Sequence, residues 1–215
     1  MKRSIGLCLG AALAAVFLSG GTASAKDADA GTNDVYRLHM FHTHTGEKLD
    51  VVYRIGDRYL PEAIDKLNHF LRDHRTQAES RYDPREFDLL HAIMEKLGRP
   101  NGEIDIVCGY RTPWSNNFLR SRSADSGVAK NSQHVQAKAI DIRVPGVSTA
   151  KLRDAALSLH AGGVGYYPVN QFVHVDVGPV REWRYGTTRK SKMRSVARST
   201  RHRVRPRATT VVSGE

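Results

Sequence analysis

Two short, mostly apolar runs each carry one chemically active residue near the middle. Asp141 lies within Ala139–Val144, and His174 lies within Phe172–Val177. Runs of this length and composition predict strands. On adjacent strands the carboxylate and the imidazole would meet. His134 stands seven residues before Asp141, at the end of the polar stretch Asn131-Ser132-Gln133. Two imidazoles and a carboxylate suit a zinc ion held by three protein ligands with a fourth position open. Spacing alone does not single this trio out among ten histidines. The plainer alternative is a loop histidine at 134 and a hydrogen-bonded sheet histidine at 174.

The two ends of the chain differ from its body. Lys2 and Arg3 precede the apolar run Ile5 to Leu18, and Thr22-Ala23-Ser24-Ala25 follows with small residues. This pattern predicts a signal peptide over residues 1–25 and an exported, periplasmic protein. Residues 26–34 form a polar lead-in. From Arg184 onward there are ten Lys/Arg and a single acid, Glu215. Residues 184–215 are therefore expected to be a basic, disordered tail. The formal charge of +11 belongs to these ends, and the body between them is close to neutral. No specific nucleic-acid partner is expected for such a body, whereas the tail suits anionic envelope components by charge alone. Cys108 is the one cysteine beyond the signal segment, which excludes an intramolecular disulfide there. Its apolar setting predicts a buried small residue rather than a nucleophile.

The body, 35–183, has the length of one domain. Val35 to Met40 and Leu49 to Tyr53 predict a hairpin turning at Thr45-Gly46-Glu47. Pro61 opens a helix with Ile64, Leu67, Phe70 and Leu71 at helical spacing. A second helix follows Asp83-Pro84, with Asp83 as cap and Glu86 closing a capping box. Ile104 to Val107 predicts a central strand, Asn116 to Arg122 a short helix, and Thr149 to His160 another. Gly162 to Tyr167 leads into the last strands. This order predicts an α+β domain with a small, mainly antiparallel sheet.

The motifs fall in a fixed order. Thr43-His44-Thr45-Gly46-Glu47 comes first, then Gly109-Tyr110-Arg111-Thr112-Pro113, Gly127 to Ser132, and His134 with Lys138-Ala139-Ile140-Asp141. Gly162-Gly163-Val164-Gly165-Tyr166-Tyr167-Pro168 and Phe172 to Gly178 complete the series. From about Val35 to Trp183 the chain resembles the YcbK-like murein endopeptidases (murein endopeptidase K type). These are relatives of the zinc D-Ala-D-Ala carboxypeptidases and of the hedgehog signalling domain. The resemblance implies helices packed on one side of the sheet, and zinc held by His134, Asp141 and His174.

It further implies that Arg111 steadies negative charge on a substrate carbonyl, a task suited to a permanently charged guanidinium. Ser132, in the family's Ser-x-His pattern, would orient His134 or touch substrate. Many relatives carry an acid three residues before the last histidine, but this chain has Gln171 there. Asp176, two residues after His174 and on the same strand face, is the nearest acid, expected as base or as orienting partner of a ligand. Ala137 replaces a usual glycine, harmless unless that backbone needs a positive φ. His39, His42 and His44 are assigned to a strand and its turn. The expected activity is zinc-dependent hydrolysis of amide bonds in peptidoglycan stem peptides or cross-links. D,D and L,D bonds, and endo- and carboxypeptidase action, stay open. Gln171 motivates one alternative, a zinc-containing wall-binding protein without hydrolysis.

Overall fold

The computed structural model describes residues 34–122 and 126–186. The expected signal peptide and nearly all of the lead-in and tail lie outside these residues. Among the described residues, no helix is long and apolar enough to cross a membrane.

The first hairpin pairs β1 (Val35–His42) with β2 (Lys48–Ile55), and β2 with the short β3 (Arg58–Tyr59). α1 (Pro61–Phe70) begins at Pro61, whose fixed φ suits a first turn. α2 (Arg85–Lys96) follows, and Asp83 Oδ1 accepts the Arg85 N–H at 3.2 Å. Glu86 does not close the expected capping box. It is fully buried, and burial, reinforced by the charge of Asp176, pushes its carboxyl pKa well up. β4 (Glu103–Cys108) lies parallel to β1, which the crossover through α1 and α2 permits.

α3 (Pro113–Ser121) begins three residues before the expected start. Thr112 caps it, accepting the Ser115 N–H at 3.1 Å, and Pro113 fills its first position. A 3₁₀ turn, Gln133–Gln136, precedes β5 (Ala139–Arg143). α4 (Thr149–Ser158) is capped by Ser148, and β6 (Gly163–Tyr167), β7 (Phe172–Asp176) and β8 (Arg181–Arg184) complete the sheet.

The strand order is β3-β2-β1-β4-β5-β7-β6-β8. The sheet is mainly antiparallel, as expected, but not small: it has eight strands and is mixed, with β1–β4 and β6–β8 parallel. Two strands were missed for a physical reason. β3 is two residues long, and β8 (Arg-Glu-Trp-Arg) is a charged edge strand with no apolar run to mark it; its last residue, Arg184, was assigned to the tail.

Alternation decides which side chains face which way. Leu38, Met40, Val51, Tyr53, Ile104, Ile106, Ile140, Ile142, Val173 and Val175 share one face. They form one core with Leu67, Phe87, Leu90, Ile93 and Leu152 from α1, α2 and α4. The opposite face carries the polar residues of β5 and β7.

Candidate metal centre

One row of side chains crosses that opposite face. Asp141 pairs with His174, His174 with Gly165, and Gly165 with Trp183. On the other flank Asp141 pairs with Cys108, because the register shifts between Ile106 and Cys108. Simple alternation would send Cys108 to the core with Ile104 and Ile106; the irregularity turns it to the site instead. Gly109 follows, so close to α1's end that a Cβ there would sit 2.5 Å from the Leu71 carbonyl oxygen.

His134 comes from the 3₁₀ turn. Ser132 caps that turn, its Oγ 3.4 Å from the His134 N–H, and both are buried. The turn ends at Ala137, with φ 50° and ψ 47°. The backbone does need a positive φ here, so alanine bears a left-handed conformation at roughly 1–2 kcal/mol.

The three expected ligands converge. His134 Nε2 lies 3.2 Å from Asp141 Oδ1 and 3.0 Å from His174 Nδ1, and His174 Nδ1 lies 2.9 Å from Asp141 Oδ1. The other ring nitrogens fix the tautomers. His134 Nδ1 is 2.8 Å from the Gly109 carbonyl oxygen, an acceptor only, so it carries a proton. His174 Nε2 is 3.0 Å from Asp176 Oδ2 and carries one as well. When both rings are neutral, two imidazole lone pairs and a carboxylate oxygen therefore point at one another. That arrangement is repulsive alone and favourable around a cation. Tetrahedral zinc with bonds of about 2.0 Å would space its donors by about 3.3 Å, close to the observed triangle. The residues present fit a divalent metal.

Electrostatics agree. Burial, with Arg111 nearby, lowers the His134 pKa to about 4. Burial would raise that of Asp141, but the two histidines hold it far below the usual carboxylate range. Burial opposes a charge on His174 too; hydrogen bonds to Asp141 and Asp176 outweigh it and raise its pKa. A metal then competes with a proton for His174 Nδ1. The Cys108 Sγ also stands within 4.8 Å of the His134 and Asp141 donor atoms. Burial pushes its thiol up to about 11, which keeps it a neutral, poor ligand.

Asp176 shares the site face but lies behind His174, fully enclosed. Its carboxylate accepts from His174 Nε2, from the N–H groups of Gly163 and Gly178, and from Arg181 Nη1 and Nη2 at 3.0 and 2.7 Å. The Trp183 indole backs His174 at 5.1 Å, in the space that Gly165 leaves without a side chain. Gln171 turns away: its amide oxygen accepts from Thr149 and its Nε2 donates to the Pro168 carbonyl. Its own φ is 58°.

A cleft of about 330 Å³ opens over the three donors. Arg111 lines it, buried, with Nη2 3.5 Å from Asp141 Oδ2 and Nη1 3.5 Å from Asn116 Oδ1. Asn116 Nδ2 donates to the Ala129 carbonyl, tying Arg111 to the loop on the far side of the cleft. Asp141 is the one carboxylate among the described residues lining the cleft. Asn116, Trp183, Asp73 and Arg75 escape sequence reasoning. Trp183 was named only as the end of the family resemblance.

The family model described as peptidoglycan L,D-endopeptidase MepK matches residues 30–183. The probable peptidoglycan L,D-endopeptidase MepK of Haemophilus influenzae is 43% identical over 147 residues, 68% of this chain and 78% of that protein. The peptidoglycan L,D-endopeptidase MepK of Escherichia coli K12 is 42% identical over 146 residues, 68% of this chain and 79% of that protein. No solved structure gives a significant match. The convergent donor triad thus sits in a chain that belongs to the peptidoglycan L,D-endopeptidase MepK family.

Proposed function

We propose that this protein is a zinc-dependent endopeptidase of peptidoglycan, cleaving L,D bonds in stem peptides or their cross-links. The carrying observation is the triangle of two imidazole nitrogens and a carboxylate oxygen at the floor of a cleft beneath Arg111. The names of its relatives supply the bond type. Residues 1–25 would export the chain to the periplasm, and the basic tail would meet anionic envelope components by charge.

His134, Asp141 and His174 would hold zinc, which supplies a Lewis acid and a water acidified to near neutrality. Arg111 binds and polarises the substrate carbonyl. Its guanidinium is held by Asp141 and Asn116, and its enclosed Nε has no partner within the protein. Charge developing on the carbonyl oxygen is thereby met by a donor that needs no reorganisation. Ser132 positions His134 by capping its turn and borders the cleft where substrate would lie. Of the two roles expected for Asp176, the geometry favours the orienting one. It fixes the His174 proton on Nε2, and His174 and Arg181 separate it from the cleft.

The test is digestion of purified sacculi by the full mature chain, with zinc and with chelator. New L,D-cleaved muropeptides that disappear on chelation are expected. Unchanged muropeptides from a folded, zinc-loaded sample would overturn the reading, and sacculus binding without cleavage would identify a wall-binding protein instead.

A further inference from the structure

We propose that Arg75, which lines the cleft together with the stacked rings of His44 and His74, forms a second anchoring point there, a subsite for a free carboxylate of the bound peptide. This rests on the peptidase reading above. Other arginines half-buried or buried in the fold are paired: Arg54 with Asp88, Arg72 with Glu47, Arg111 with Asp141, Arg153 with Asp154. Arg75 also lines the cleft, yet no ion pair or side-chain hydrogen bond holds its guanidinium, and its Nη1 is closed off from solvent without a partner. An enclosed charged donor left unsatisfied is costly. A ligand that brings the acceptor removes that cost.

The position of Arg75 is built rather than incidental. Asp73 is fully enclosed; its Oδ1 accepts the Arg75 N–H at 3.0 Å, and its Oδ2 accepts both the N–H and the hydroxyl of Thr112 at 2.8 Å. One carboxylate thus ties the segment bearing Arg75 to the turn bearing Arg111. Both arginines present an enclosed, unpartnered nitrogen, Nη1 of Arg75 and Nε of Arg111. Beside Arg75 the rings of His44 and His74 stack at 4.3 Å and 14°. The buried His42 accepts the N–H groups of His44 and Thr45 on Nδ1, both at 3.3 Å, which fixes the turn beneath that stack. Two guanidiniums on one scaffold suit two acceptors along one extended peptide: Arg111 the carbonyl to be cleaved, Arg75 a carboxylate further along. A planar guanidinium matches a carboxylate through paired hydrogen bonds.

The experiment uses the mature, zinc-loaded chain and three versions of one cross-linked muropeptide: all carboxylates free, the C-terminal carboxylate amidated, and the internal carboxylates amidated. Arg75→Met should lower kcat/KM on the free form by about 10–100-fold, mostly through KM. The unaltered chain should lose a similar factor on one amidated form, which identifies the carboxylate, and Arg75→Met should lose nothing more on that form. Arg75→Lys should recover part of the loss. Calorimetric binding of a shorter, uncleavable peptide should show the same dependence on Arg75 and carboxylate. Carboxylate-dependent binding without cleavage would keep the subsite and sink the peptidase reading. Cleavage and binding indifferent to Arg75 and to amidation would overturn the subsite alone.

Discussion

Asp176→Asn separates the two roles open to that residue. The carboxylate receives five hydrogen bonds, from His174, Gly163, Gly178 and twice from Arg181. Asparagine replaces one acceptor oxygen with a donor. With the amide nitrogen at the Oδ2 position, it faces the His174 Nε2–H and Arg181 Nη2, both donors. His174 then relieves the clash by moving its proton to Nδ1, the nitrogen that faces His134 and Asp141. With the amide nitrogen at the Oδ1 position, it faces three donors instead, the N–H groups of Gly163 and Gly178 and Arg181 Nη1, so the first orientation costs less. Losing an outer partner of a metal-bound histidine costs about 10–100-fold in affinity, or about 1.4–2.7 kcal/mol at 1.36 kcal/mol per tenfold. The assay is competition for zinc against a chromophoric chelator, with folding of the metal-free variant checked by circular dichroism. Activity should return as zinc is raised. An unchanged zinc affinity, with kcat lowered by about 10²–10⁴-fold as expected for a lost general base, would refute the argument and make Asp176 the proton carrier.

Three further outcomes follow from the same geometry. His174→Ala should abolish stoichiometric metal, whereas Cys108→Ser should leave it intact, because the neutral thiol adds no donor; metal analysis of the purified variants decides. Arg111→Met should keep its metal but lose about 10²–10³-fold in kcat, as for a missing oxyanion donor, and steady-state kinetics on muropeptides would show it. Asp73 contributes to acid stability. Burial would raise its pKa, but the nearby Ser115 hydroxyl, together with hydrogen bonds from Thr112 and the Arg75 backbone, brings it from 3.8 to about 2. A carboxyl depressed in the folded state stabilises above its unfolded pKa, so this contribution, about 2 kcal/mol, is lost as pH falls from about 4 to 2. Urea melts of Asp73→Asn should lose about 2 kcal/mol less across that range than the unaltered chain, and an equally steep acid limb would contradict the assignment.

The sequence made the face of each strand legible but not the depth at which a residue sits on it. Alternation sufficed to bring Asp141 opposite His174, since both lie at odd steps from core residues of their own strands. The same rule put Asp176 on the site face. It was silent on what closes over that carboxylate: Arg181 from the charged strand β8, and the backbone of Gly163 and Gly178. Alternation failed outright at Cys108, because a single irregularity in β4 reverses every side chain after it, and no residue there announces a bulge. Ala137 marks a subtler boundary. Its departure from the family's glycine was visible, but its φ of 50° was not, and the strained turn is the one that brings His134 beside Asp141 and His174. Asp73 and Arg75 were least visible of all. They lie in an irregular segment after α1, and what places them in the cleft is a hydrogen-bonded tie to Thr112, 39 residues further along the chain. Chemistry concentrated in strands can be found by period; chemistry held by a long-range carboxylate tie needs the fold first.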